Sequence, residues 1–200
     1  MGFFSTVDRR KSGPTRANRE HGAGEEIYRS GNTGLAWRVG KGVVRLDTGT
    51  PDGERRFASL AIAGDILGCE TLLFGAYTFT ASALTHCELR PWPEGESATS
   101  GDSLLASLAQ AQQRAAEVIA LRGGQAVDRV LGLARLLADG AGRVVLPTRH
   151  DIADITDLRF ETISRIVKQL ERSGILVATK IDGVHATRGY CLRENDGYAH

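Results

Sequence analysis

The sequence lacks a membrane span. No run of about 18 apolar residues occurs, the length a helix needs to cross a bilayer. It also lacks an apolar leader core, because the first apolar residues after Met1 are only Phe3 and Phe4. The expectation is a cytoplasmic protein with no membrane partner. Cysteine is scarce, with three residues at 69, 87 and 191 and no CxxC pair. That is too few for a disulfide framework or for an all-cysteine zinc or iron–sulfur site. Aromatics make up only 6% of the chain, whereas 24 glycines promise many turns. A strong charge of either sign is missing too: the net charge of +1 argues against a nucleic-acid coat protein. With 42% hydrophobic and 24% charged residues, the 200-residue chain has globular composition and room for one or two domains.

Four parts follow from what is present. Residues 1–24 read as a basic tail, with Arg9, Arg10, Lys11, Arg16 and Arg19 among Ser, Gly, Pro and Asn. Residues 25–100 read as an all-β roll. Ile27-Tyr28 is a short strand, and Leu35, Trp37 and Val39 alternate with Ala36 and Arg38. Val43 to Leu46, Arg56 to Leu60 and Ile66-Leu67 follow, with turns at Thr50-Pro51-Asp52-Gly53 and Gly64-Asp65. Tyr77, Phe79, Ala81 and Ala83 alternate with Thr and Ser, and Cys87 to Trp92 closes the set. Short strands at this spacing make a barrel or a sandwich roll.

Residues 101–122 read as one long helix. Leu104, Leu108, Ala111, Ala115 and Val118 step by four and three, the seam of a coiled coil. They are the predicted homodimer interface, with Gln112, Gln113, Arg114 and Glu117 on the far face. Gly123-Gly124 breaks the helix and marks a hinge before the last unit, residues 123–200.

The sharpest signal lies between Thr148 and Gly174. Thr148 is a good N-cap for a short helix bearing Ile152, Ala153 and Ile155. Thr156-Asp157-Leu158 is a turn, and Asp157 stands where a left-handed backbone is needed. A second helix runs from near Arg159 to Ser173-Gly174, with Leu158, Ile163, Ile166, Val167 and Leu170 facing inward. This is a helix-turn-helix, whose second helix presents its first turns to base edges in the major groove. Arg165 suits guanine O6 and N7, Glu161 suits cytosine N4, and Ser164 suits either a bond or a thymine methyl. The bland alternative pairs Glu161 with Arg165 on a solvated face. Arg149, His150, Arg159, Phe160, Thr162 and Lys168 lie near the groove or the phosphates. Asp182-Gly183 between two β-runs reads as the tip of a wing, with Lys180 and Arg188 in reach of phosphates. From Arg143 to His200 there are nine Lys or Arg and eight Asp or Glu, so placement rather than net charge would make the DNA side.

The order of roll, long helix and winged helix-turn-helix resembles the Crp/Fnr-type bacterial transcription regulators over residues 25–192. DIADITDLRFETISRIVKQLERSGIL and GVVRLDTGTPDGERRFASLAIAGDILG carry the resemblance. It implies an α+β fold with a cyclic-nucleotide-binding-like roll. Glu161-x-x-Ser164-Arg165 is similar to the Fnr-like reading head, which implies palindromic sites with TTGAT-like halves. Phe160 stands where the cyclic AMP receptor branch has Arg. That branch holds its cyclic phosphate with a Glu and an Arg in the roll. Gly64-Asp65 sits near that Glu, but no Lys or Arg occurs from Phe57 to Leu89. The first 68 residues carry no cysteine, so the Fnr cluster set is absent. His86 beside Cys87 could ligate haem, though a lone His at a strand start is more often structural.

The expectation is a homodimeric DNA-binding regulator, not an enzyme, that uses no cofactor and no metal. It would be an activator that recruits RNA polymerase, stress-responsive and effector-independent. The alternatives are a ligand- or redox-sensing regulator of the same type and, more distantly, a cupin-like metalloenzyme. Another is a dimeric sensor whose helix-turn-helix is a protein contact.

Overall fold

The computed structural model describes residues 17–49, 54–92, 104–181 and 188–193. The start of the tail, the turn at 50–53, the wing tip at 182–187 and the side chains of Leu104 and Leu105 lie outside the described residues.

Alternation and glycine turns build the roll. Its strands are β1 (Arg19–His21), β2 (Glu26–Tyr28), β3 (Ala36–Lys41), β4 (Val43–Gly49), β5 (Arg55–Ile62), β6 (Ile66–Leu67), β7 (Thr80–Ala83) and β8 (Cys87–Trp92). A one-turn helix, α1 (Thr71–Phe74), follows β6. The strands form two antiparallel sheets, β1-β8-β3-β6 and β2-β7-β4-β5. The inward members of the alternation, among them Trp37, Val39, Val44, Leu67, Ala81 and Leu89, fill the space between them. The chain crosses from β3 to β4 at Gly42, where φ is +92° and a Cβ would lie 2.3 Å from the His86 carbonyl. Only glycine fits there. Both tryptophans, Trp37 and Trp92, are buried in this roll.

Two expectations need correction. Residues 19–21 do not belong to a tail: Arg19, Glu20 and His21 pair with Leu89, Glu88 and Cys87. The Arg19 guanidinium also sits 4.6 Å from the Trp37 ring centroid. Tyr77 and Phe79 precede strand β7 rather than belonging to it. Tyr77 is a core plug: its ring stacks on Tyr28 at 3.8 Å, and its hydroxyl donates to the Leu35 carbonyl at 2.7 Å.

The long helix α2 spans Leu104–Ala120, inside the predicted 101–122. One of its faces is docked on the roll. Arg114 Nε donates to Asp65 Oδ2 at 3.0 Å, and Asp65 is 7% exposed. The same guanidinium reaches Glu117. Arg114 is therefore not on a free far face. Leu108, Ala111 and Ala115 are exposed, whereas Val118 is buried in the chain's own core. A side chain consumed in this way cannot also line a dimer seam. The exposed apolar position is the next residue, Ile119, at 71% exposure.

Beyond Gly123-Gly124 the last unit comprises α3 (Ala126–Leu137), β9 (Arg143–Val145), α4 (Arg149–Thr156), α5 (Phe160–Arg172), β10 (Leu176–Ala178) and β11 (Gly189–Leu192). The three strands form an antiparallel sheet in the order β10-β11-β9. Its apolar interior is continuous with the near end of the roll: Val43, Leu60 and Leu84 share one cluster with Val118, Leu121, Val130, Ile152 and Ile163. The fold is α+β, as the alternating and helical periods together require.

Candidate DNA-reading surface

The side chain of Thr148 opens α4 by accepting from the Asp151 backbone N–H at 3.2 Å, and the Thr148 hydroxyl donates back to Asp151 Oδ2 at 2.5 Å. This reciprocal cap satisfies a free amide at the helix start. Ile152 and Ile155 are fully buried on the apolar face, and the Thr156 hydroxyl donates to the Ile152 carbonyl at 2.6 Å. The helix then stops at Asp157, which has φ 53° and ψ 47°. It is the only non-glycine residue with positive φ among the described residues. Its N–H, and that of Leu158, bond the Ala153 carbonyl, so the turn closes over the small Ala153 side chain.

Helix α5 starts after the extended residue Arg159, which offers no side-chain cap. Ile163, Ile166, Val167 and Leu170 are buried, and Leu158 is half-buried beside them. Phe160, Glu161, Arg165 and Lys168 are exposed on the other side, with Ser164 and Thr162 half-buried between the faces. Among the described residues, Glu161 and Arg165 make no ion pair with each other, so the solvated-pair alternative is not what the structure adopts. Their donors and acceptors stay available. Both Arg159 and Lys180 are exposed. His150, at the start of α4, lies with its ring 4.8 Å from that of Phe160, so the two helix starts form one edge.

The wing is fastened to the reading helix by Tyr190, whose hydroxyl donates to Glu171 Oε1 at 2.7 Å. Burial pushes this phenol above its ordinary range, Glu171 adds to the shift, and half-buried Arg149 opposes it. Arg149 thus spends part of its charge inside the head.

Arg188 corrects the sequence reading. Its Nε donates to the Leu146 carbonyl at 2.7 Å and its Nη2 to the Leu84 carbonyl at 3.0 Å. The guanidinium ties the start of the wing strand to the roll and is engaged by two backbone carbonyls rather than left free on the surface. The sequence reading also missed Arg45, whose Nε bonds Asp47 at 2.7 Å and whose Nη1 bonds Asp154 at 2.9 Å. A signal existed, since residues 45 and 47 share one face of a strand. Its partner on α4 could not be seen from spacing.

Among the described residues, no three of His, Cys, Asp and Glu gather so as to hold a metal ion. No helix among them is long and apolar enough to cross a membrane. Cys69 and Cys191 are half-buried and Cys87 is buried, all as free thiols.

No family model matches the chain. It is similar to the nitrogen fixation regulation protein FixK of Bradyrhizobium diazoefficiens, with 34% identity over 171 residues, 77% of this chain and 71% of that protein. The Rhizobium meliloti FixK is 31% identical over 159 residues, 76% of this chain and 74% of its own length. The solved FixK2 of Bradyrhizobium japonicum superposes with a TM-score of 0.64 at 28% identity, covering 89% of this chain and 92% of the other. A CRP-family transcriptional regulator from Thermus thermophilus gives the same TM-score of 0.64 at 25% identity, covering 88% and 92%. A β-roll, a long helix and a winged helix-turn-helix with an open reading face, matched along most of their length by two FixK proteins, place this chain in the Crp/Fnr family of transcription regulators.

Proposed function

We propose that this regulator binds palindromic DNA as a homodimer and reads each half-site with Glu161, Ser164 and Arg165. The observation that carries the reading is the division of α5: four apolar residues are buried, and Glu161 and Arg165 stand exposed and unpaired with each other on the opposite side. Arg165 donates to guanine and Glu161 accepts from cytosine, in TTGAT-like halves. Arg149, His150, Arg159, Phe160, Thr162, Lys168 and Lys180 position the head along the backbone or close to it. The dimer brings two heads together at a half-site spacing of about 34 Å. Its seam is the exposed stripe of α2 through Leu108, Ala111 and Ala115, continued by Ile119 instead of Val118. The bound dimer activates transcription by recruiting RNA polymerase.

The protein works without a small-molecule effector. Asp65, near the position where the cyclic-nucleotide branch keeps its acidic ligand, is already held by Arg114 from α2. The roll and the long helix are thereby joined by the chain's own charges. Titration calorimetry with cyclic AMP should show no tight binding. The decisive experiment is fluorescence anisotropy with a duplex carrying TTGAT and its inverted repeat. Wild type binds in a salt-dependent way, and Arg165→Ala loses about 1–3 kcal/mol and relaxes one base position. Equal binding by Arg165→Ala would remove the base-reading assignment.

A further inference from the structure

Three arginines converge where the roll meets the reading head. Arg45, on β4 of the roll, has a side chain only 12% exposed, beside Asp47 at 4%. Its Nη1 crosses to the head, to Asp154 Oδ2 at 2.9 Å and Asp151 Oδ1 at 3.2 Å, both on α4. Arg122, just beyond α2, donates to the carbonyls of Asp154 at 2.8 Å and Ile155 at 3.1 Å. Arg188 returns from the wing to the Leu84 carbonyl of the roll. The Phe57 ring lies under both charged groups, 5.6 Å from Arg45 and 5.3 Å from Arg122. These contacts bracket the hinge at Gly123-Gly124, where Gly124 has φ +74°.

The placement has an electrostatic consequence. In a helix-turn-helix the first helix lies across the DNA backbone. Asp151 and Asp154 are on that helix, and their free carboxylates would repel phosphates. Arg45, shared with Asp47, offsets part of their charge only while roll and head keep this arrangement. The reading side chains of α5 stay exposed throughout, so the arrangement leaves the DNA face open. Of the three arginines, Arg45 alone couples the orientation of the head to the charge on α4, because Arg122 and Arg188 bond backbone carbonyls.

We propose that the Arg45–Asp151–Asp154 bridge is a built-in latch that holds the head in its DNA-binding orientation and stands in for an effector. The inference rests on the effector-independent DNA-binding reading above and assigns the residues that make it work.

The test uses the full chain and the TTGAT palindrome. Arg45→Ala should bind about tenfold more weakly, within the range that coupling between separate sites usually takes. Its helicity and dimeric mass should be those of wild type. Arg45→Lys keeps the charge but loses the planar fork, and should fall between the two. It decides the matter if Arg45→Ala does not fold. In an Asp151→Asn, Asp154→Asn background, Arg45→Ala should change affinity by less than about twofold, because its partners on α4 no longer carry charge and only Asp47, within the roll, still bonds it. Amide exchange across α4 without DNA should be faster in Arg45→Ala than in wild type. Arg45 variants that bind as tightly as wild type, or more tightly, overturn the latch and leave the DNA reading intact. Failure of wild type itself to bind the palindrome overturns the DNA reading, whatever the exchange rates.

Discussion

The reading head and the roll treat polar groups in opposite ways. In the head, α5 hides Ile163, Ile166, Val167 and Leu170 and turns Glu161, Arg165 and Lys168 outward. In the roll, Asp47 and Asp65 are buried and held by Arg45 and Arg114. Charge on the outer face of α5 is left exposed, and charge in the roll is spent inside the protein. The same residue types are therefore exposed on one helix face and cohesive in the roll. Sequence composition, with its net charge of +1, averages the two and hides both.

The comparison can be broken most forcefully at Ile163. It is fully buried, and Ile163→Ala should cost about 2–5 kcal/mol in a urea titration followed by circular dichroism. In the roll the equivalent damage should come from a charge. Asp65→Ala strands the Arg114 guanidinium and should cost about 3 kcal/mol, the low end for a broken buried pair because Glu117 still reaches it. A negligible loss in that variant would mean that the roll's charges are ornaments on an apolar core. On the outward face, Arg165→Ala should leave the urea midpoint where it is while lowering affinity for the palindrome. Lys168→Ala should have a smaller effect, uniform across sequences, and should reduce the slope of affinity against salt by about one counterion.

The thiols sharpen the contrast at the smallest energetic scale. Burial pushes the Cys87 thiol from its ordinary value of 9.0 up to about 11, while hydrogen bonds to Val43 and Thr85 pull the other way. The folded state then favours the protonated thiol. That preference is fully present below 9.0 and disappears as the pH rises through about 11. Iodoacetamide at mildly alkaline pH should therefore leave Cys87 unlabelled until the roll unfolds, as a mass-spectrometric time course in urea would show. Rapid labelling of native Cys87 would contradict a closed roll.

The fold is legible in the sequence unevenly. The helix-turn-helix announced itself because every constraint on it is local: Thr148 as a cap, Asp157 in a left-handed turn, an apolar period of helix spacing. Short strands carry weaker signals, since their partners are far away in sequence. β1 is not legible because Arg19-Glu20-His21 has no apolar alternation, and only its pairing with β8 makes it a strand. Tyr77 mimicked a strand by alternating with Thr, yet its task is to fill the core and bond Leu35. On α2 the neighbours Val118 and Ile119 are both apolar, and periodicity alone cannot say which of them the roll claims. Arg188 read as a phosphate contact because a wing strand usually offers its cations to DNA, whereas here a junction takes it.

The two buried tryptophans, Trp37 and Trp92, both lie in the roll, and the chain has only two. Light emission from the indoles is thus a label for one half of the molecule that needs no chemistry to attach. Changes at the reading head that never reach the roll will be silent in it, and any change in emission reports a change in the roll itself.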